Sequence, residues 1–370
     1  MNEQLVTLVA KEVNLKPKTI EQVIRLLNEG NTVPFIARYR KEATGGLDEV
    51  EIKKIQDTWN YASQLAERKE EVIRLIDEQG KLTEELRKEI EQATKLQRVE
   101  DLYRPYRQKR RTRATIAKEK GLEPLAELVF KQELEDVKVE AEKYFSEEQE
   151  LHDVETVLAG VNDIIAEWIS DEAEYRDFIR KVTWNHGTLH TELKADANDE
   201  KEVYKMYYDF SEAIRSLVSH RTLAINRGEK EEVLRVTIEP PIERIITYLE
   251  DKVIQTNKSQ ACIEIIKEAI EDSYKRLIQP SIEREIRNQL TEEAEDQAIN
   301  VFAENLRNLL LQPPLKGRTI LGVDPAFRTG CKLAVVDETG KMLDISVMYP
   351  TAPRNDVEGA EKTILQLLNK

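Results

Sequence analysis

Cysteine is nearly absent. Cys262 and Cys331 are the only two in 370 residues and lie far apart, which excludes a disulfide framework and reads as reduced thiols in a cytoplasmic protein. Glycine (13) and proline (12) are scarce, so no low-complexity tract is present, and with 34% charged residues the chain reads as mostly helical. No apolar run is long enough to cross a membrane. The N-terminus, MNEQLVTLVAKEVNLK, alternates charged and apolar residues at helical spacing, which excludes a signal peptide. There are four histidines. His186 and His190 have the spacing of a helical zinc pair, but Gly187 and the alternation after it place both on a strand, too far apart to share an ion; His152 and His220 stand alone. Neither a zinc site nor a cofactor is expected, and the chain has no GxxxxGK[ST] loop and no GxSxG elbow.

What is abundant is negative charge. A formal net charge of -15 argues against a surface built throughout to hold nucleic acid. The distribution is uneven. Between Arg98 and Lys120, nine basic residues (Arg98, Arg104, Arg107, Lys109, Arg110, Arg111, Arg113, Lys118, Lys120) face three acidic ones (Glu100, Asp101, Glu119), so this segment is +6 and the remainder -21.

Apolar spacing predicts two short helices over residues 1–29, broken near Pro17 and closed by Gly30. After Gly45-Gly46, Asp48 caps a long helix running to Gly80, a scaffold spanning more than one subdomain. Shorter helices are expected from Thr83 to Lys131, and another from Asp153 to about Val182. Residues 187–194 and 233–238 alternate as strands, and helices return over Ser211–Asn226 and Ile242–Val253. A long helical pair, capped by Ser259, ends at Pro313-Pro314, the clearest boundary in the chain. The expected division is 1–80, 81–200, 201–316 and 317–370.

The last segment has a different grammar. ILGVDPAFRTGCKLAVVDETGKMLDISVMYP reads as three antiparallel strands, with hairpin chemistry at Glu338-Thr339-Gly340, followed by a helix capped by Asp356. That is the opening half of a ribonuclease-H-like α/β fold, in which the first acidic ligand projects from the first strand, where Asp324 sits. The plainer reading, a strand-end aspartate capping its own Asp-Pro turn, is preferred. Two-metal cleavage needs several carboxylates, and Asp337 and Asp344 lie at the hairpin away from that end. Asp324 is thus a vestigial candidate, with no catalytic residue and no metal expected. The helix from Asp356 should deliver a fourth strand parallel to the first, so the chain is expected to be a fragment cut inside this domain.

Two basic segments complete the inventory. LYRPYRQKRRTRATIAKEKG interleaves Arg and Lys with Tyr103 and Tyr106, as phosphate contact plus base stacking requires; Arg104, Arg107, Lys109, Arg110, Arg111 and Arg113 are the candidate contacts. A solvated loop, or one paired with the acidic excess, is the alternative. In GNTVPFIARYRKEATGGLDE, Phe35, Ile36 and Tyr39 are expected to pack inward, while Arg38, Arg40 and Lys41 meet phosphate or neighbouring acids. The short helices and tight turns there suggest helix-turn-helix-like packing.

Taken together, EGNTVPFIARYRKEATGGLDE, LYRPYRQKRRTRATIAKEKGLEPLAE and LGVDPAFRTGCKLAVVDETGK resemble the Tex family of bacterial transcription accessory proteins, from the first residue to the last. The resemblance implies a mainly α N-terminal region with a helix-turn-helix-like part and long scaffold helices, then an incomplete YqgF-type ribonuclease-H-like domain from about Arg318. It implies a cytoplasmic, non-catalytic, nucleic-acid-associated scaffold. RNA or single-stranded DNA would be held mainly by later domains absent here, and RNA polymerase or the ribosome would be the machine it serves. Ala326 stands where the family often has Gly, which weakens any close approach of this turn to phosphate. Two other classes compete: a magnesium-dependent nuclease using Asp324 with later carboxylates, and an actin-like ATPase using GVDPAFRTG as its phosphate loop.

Overall fold

The computed structural model describes residues 3–108, 110–255, 258–313 and 315–370. It divides into two compact units, 1–295 and 296–370, and each is described separately.

The first unit opens with α1 (Glu3–Val13) and α2 (Pro17–Asn28), the latter begun by a proline whose fixed φ suits a first helical turn. The short helices α3 (Val33–Tyr39) and α4 (Lys41–Thr44) follow. Gly45 and Gly46, at φ +75° and +89°, then turn the chain into α5 (Glu49–Asp77). Asp48 and Glu51 form a reciprocal cap: the Glu51 amide donates to the Asp48 carboxylate at 2.8 Å, and the Asp48 amide to the Glu51 carboxylate at 3.0 Å. At 29 residues α5 is about 43 Å long. Its first half buries Ile52, Ile55 and Ala62 against α1, α2 and α3, and its second half buries Val72 and Ile76 in another apolar cluster with α6 (Glu84–Gln92) and α7 (Leu96–Tyr103). One helix thus braces two cores.

The main core gathers α8 (Arg113–Glu119), α9 (Glu123–Phe130), α10 (Val137–Glu142), α11 (Val154–Asp171) and α12 (Ala173–His186) with a three-stranded antiparallel sheet. The sheet has β1 (Thr188–Leu193) between β2 (Asp209–Ala213) and β3 (Leu234–Glu239). On β1, Leu189 and Thr191 face inward, and the Thr191 hydroxyl donates to the Tyr207 carbonyl at 2.6 Å, satisfying a buried polar group. The remaining helices are α13 (Ser219–Lys230), α14 (Ile242–Val253), α15 (Gln260–Asp272) and α16 (Gln279–Leu310), the last running on into the second unit.

Several elements differ from expectation. Residues 209–213 form a strand rather than the start of a helix over Ser211–Asn226: their cross-strand partners on β1 override a local apolar spacing that suits a helix. The run from Asp153 to Val182, read as one helix, breaks at Glu172. His186 is the last residue of α12 and not on a strand, which leaves His190 alone on β1. The long pair after Ser259 is one continuous helical rod. Pro280 cannot donate to the preceding turn, and a π-helical segment, Ser273–Ile278, widens the rod just before it.

In the second unit β4 (Ile320–Asp324), β5 (Cys331–Val336) and β6 (Met342–Met348) form an antiparallel sheet in that order, followed by α17 (Val357–Asn369). The Asp356 side chain caps α17 through the Gly359 amide at 2.9 Å. β4 is less enclosed than its apolar sequence predicts, with Gly322, Val323 and Asp324 all exposed.

Candidate nucleic-acid interface

The basic segment starts inside the fold. α7 turns its Val99, Leu102 and Tyr103 into the second core, and Arg104–Tyr106 tighten into a single 3₁₀ turn. Tyr103 is buried with the Arg68 guanidinium 5.3 Å from its ring centre, and half-buried Tyr106 packs on the same core while its carbonyl accepts from Gln79 at 2.9 Å. Neither tyrosine is the stacking platform its sequence neighbourhood predicts: helical phase sends both rings inward.

Arg104 is also part of the architecture. Its guanidinium lies 3.4 Å from the Asp171 carboxylate at the end of α11. Burial, then the nearby Arg176, pushes its pKa below the usual arginine value, against the opposing pull of Asp171, Asp101 and Glu285. It borders a charge network that joins α7, α12 and α16. Arg176, fully buried, donates to Asp101 at 3.3 Å, to Glu285 at 3.1 Å and to the Ser281 hydroxyl. Arg180 donates to Asp101 and Glu285, both at 2.8 Å. Shared carboxylates between two guanidiniums are what make buried charges tolerable. Among the expected contact residues that are described, Arg104 is the one that is half-buried rather than exposed.

Beyond Tyr106 the chain emerges. Arg107, Arg110, Arg111 and Arg113 are exposed; Lys109 lies outside the described residues. Thr112 then caps α8, accepting from the Thr115 amide at 3.0 Å and donating to Glu167 of α11 at 3.1 Å, so the loop's far end is fixed to a buried helix. Acidic neighbours take part of the charge. Arg111 pairs with Glu119 at 3.0 Å, Lys118 lies 3.6 Å from both Glu123 and Glu167, and Lys120 lies 3.8 Å from Glu150. Arg107, Arg110 and Arg113 have no ion pair among the described residues. A surface pair such as Arg111–Glu119 is worth little and yields to a phosphate. The arrangement is a short cationic rim on a rigid base, suited to phosphate oxygens.

Asp324 sits at the C-terminal end of β4, opposite Lys332. Its carboxylate accepts no hydrogen bond among the described residues, so the preferred turn-capping role is not realised. It lies in an open trough of 710 Å³ with Gly322, Lys332, Ala334, Ile345 and Val347. The other two acids of the sheet are engaged elsewhere. Asp337 accepts from the Thr339 hydroxyl at 2.7 Å and amide at 2.8 Å, which hold its carboxyl below the ordinary range, while Asp344 pairs with Lys370 at 2.7 Å. Among the described residues no three His, Cys, Asp or Glu side chains are grouped to hold a metal ion. At Gly330, φ +80°, a Cβ would lie 2.5 Å from the Tyr349 ring, so the turn after Asp324 is shaped by packing against β6 and its continuation. No helix is long and apolar enough to cross a membrane among the described residues.

Comparison with known proteins assigns these parts. Residues 3–77 match the Tex-like protein N-terminal domain, 132–302 the Tex central region-like family, and 318–370 the Tex protein YqgF-like domain. The chain belongs to the Tex family. It is 57% identical over 364 residues to the uncharacterized protein YdcI of Bacillus subtilis, covering 98% of this chain and 50% of that one. It is 38% identical to the transcriptional accessory protein Tex of Neisseria gonorrhoeae (97% of this chain, 48% of that one). The human S1 RNA-binding domain-containing protein 1 is 33% identical over 387 residues, covering 100% of this chain and 38% of that one. The chain spans about half the length of the bacterial relatives it matches. The Tex assignments place α1–α5 in one family domain and the sheet bearing Asp324 in the YqgF-like one, while the basic rim, residues 107–113, falls between the N-terminal and central matches.

Proposed function

We propose that this chain is a non-catalytic, nucleic-acid-associated part of a cytoplasmic transcription accessory protein. Its own contact is the rim formed by Arg107, Arg110, Arg111 and Arg113, together with Lys109. The supporting observation is three exposed arginines without ion-pair partners among the described residues, held between a half-buried 3₁₀ turn and a capped helix, in a chain otherwise strongly acidic. Repulsion from the acidic remainder orients a polyanion toward this rim. RNA and single-stranded DNA are the proposed ligands, and the relative named for an S1 RNA-binding domain favours RNA. RNA polymerase or the ribosome is the proposed partner machine.

Replacing Arg107, Arg110, Arg111 and Arg113 with Glu tests the reading. Retention of RNA or single-stranded DNA should be abolished, and the salt dependence of binding should go with it. Unchanged binding would remove this segment from the interface.

A second reading, a magnesium-dependent nuclease, draws on the unengaged Asp324 carboxylate. Magnesium-dependent cleavage by the purified chain that disappears in Asp324→Asn would establish it, whereas the scaffold reading expects no cleavage from either protein.

A further inference from the structure

α3 carries the aromatic surface that the basic rim lacks. Its seven residues bury only Ile36 and Ala37, at 0% and 3% exposure. Phe35 and Tyr39, expected to pack inward, lie on the open side at 36% and 62% exposure. The two rings are 5.2 Å apart at 47°, and the Arg40 guanidinium sits 5.2 Å from the Phe35 ring centre. Arg40 is also tied down by its bond to the Tyr39 carbonyl at 3.0 Å. The aromatic pair is therefore preorganised. Single exposed apolar residues are ordinary, but two contacting aromatics held outward beside cations form a surface with a use.

The charge around them is mainly positive. Arg38 and Lys41 are exposed. Arg38 has only a loose contact with Glu49, at 4.0 Å between two well-solvated side chains, and Lys41 has no ion pair among the described residues. Glu42 is the one acid within residues 33–44. Exposed rings flanked by cations match the chemistry that grips single-stranded nucleic acid: bases stack on aromatic faces and phosphates take the cations.

We infer that α3 is a second nucleic-acid contact, with a single-strand base stacking on Tyr39 beside Phe35 and the adjoining phosphates on Arg38 and Lys41. It rests on the reading above only for the class of ligand; the residues are separate from residues 107–113.

Binding of the 370-residue chain to a fluorescein-labelled oligothymidylate, and to an abasic sugar–phosphate strand of equal length, tests this. Tyr39→Ala should weaken oligothymidylate binding by roughly tenfold, leave its salt slope unchanged, and leave the abasic strand's affinity unchanged. Tyr39→Phe should restore the loss, and Arg38→Gln with Lys41→Gln should flatten the salt slope. The inference is overturned if Tyr39→Ala binds oligothymidylate as wild type does, or loses affinity for both strands alike. It is also overturned if the chain dimerises through this face and Tyr39→Ala makes it monomeric. The arginine-to-glutamate rim variant is measured alongside: loss there with no effect of Tyr39→Ala retires α3 and keeps the rim.

Discussion

The two cationic segments of this chain are alike in composition and opposite in construction. Residues 103–113 combine arginines with two tyrosines, and residues 33–41 combine them with Phe35 and Tyr39. In the first, the aromatics turn inward and the arginines after Tyr106 lie outside; in the second, both are outside. Helical phase makes the difference. α7 must turn Val99, Leu102 and Tyr103 toward α5 to close the second core, so Tyr103 goes with them. α3 is too short to bury more than the narrow strip around Ile36 and Ala37, which rotates residues 35 and 39, one turn apart, into solvent. Arginines and tyrosines adjacent in sequence therefore do not make a stacking surface until the core has chosen its face.

Truncation separates the two kinds of aromatic most sharply. Tyr103→Ala should cost about 3–5 kcal/mol of unfolding free energy in chemical denaturation, because it empties a core site. Tyr39→Ala should stay within ~0.5 kcal/mol of wild type. If Tyr39→Ala were the more destabilising, the assignment of inner and outer rings would be reversed.

The arginines can be sorted the same way. Arg176→Ala leaves Asp101 and Glu285 partly unmatched in a dry site and should destabilise by about 3–5 kcal/mol, with little change in oligonucleotide affinity per folded molecule. Arg110→Ala should do the converse, leaving the melting temperature alone while lowering the salt slope for single strands by about 0.7. Arg104→Ala belongs with Arg176 in this scheme; a fall in salt slope without loss of stability would return it to the interface. The smallest effect is expected at Asp324→Asn, where stability and nucleic-acid binding should both match wild type, since no hydrogen bond or ion pair is lost among the described residues.

Much of the fold was legible in advance. Spacing located α1, α2, α5, α14 and the three strands and helix of the second unit, and the Asp48 and Asp356 caps mark their helix starts because a cap is a local bond. β2 was not legible: Asp209, Phe210, Ser211, Glu212 and Ala213 carry no strand signal of their own and pair because β1 offers an edge. The rod from α15 into α16 escaped notice for a related reason, since Pro280 reads as a break unless a π segment relieves it. The cationic character of residues 107–113 was visible in composition, whereas the burial of Tyr103 and the half-burial of Arg104 and Tyr106 were not.

What the sequence determined by itself was local: helical periodicity, caps, turns, the position of the charge, and the three motifs that carry the family resemblance. Each depends on residues within a few positions of one another. Which side chains face water was left to the tertiary structure, because burial is shared out among α5, α7, α11, α12 and α16 together. Only their packing could place Arg176 in the dark and Tyr39 in the light.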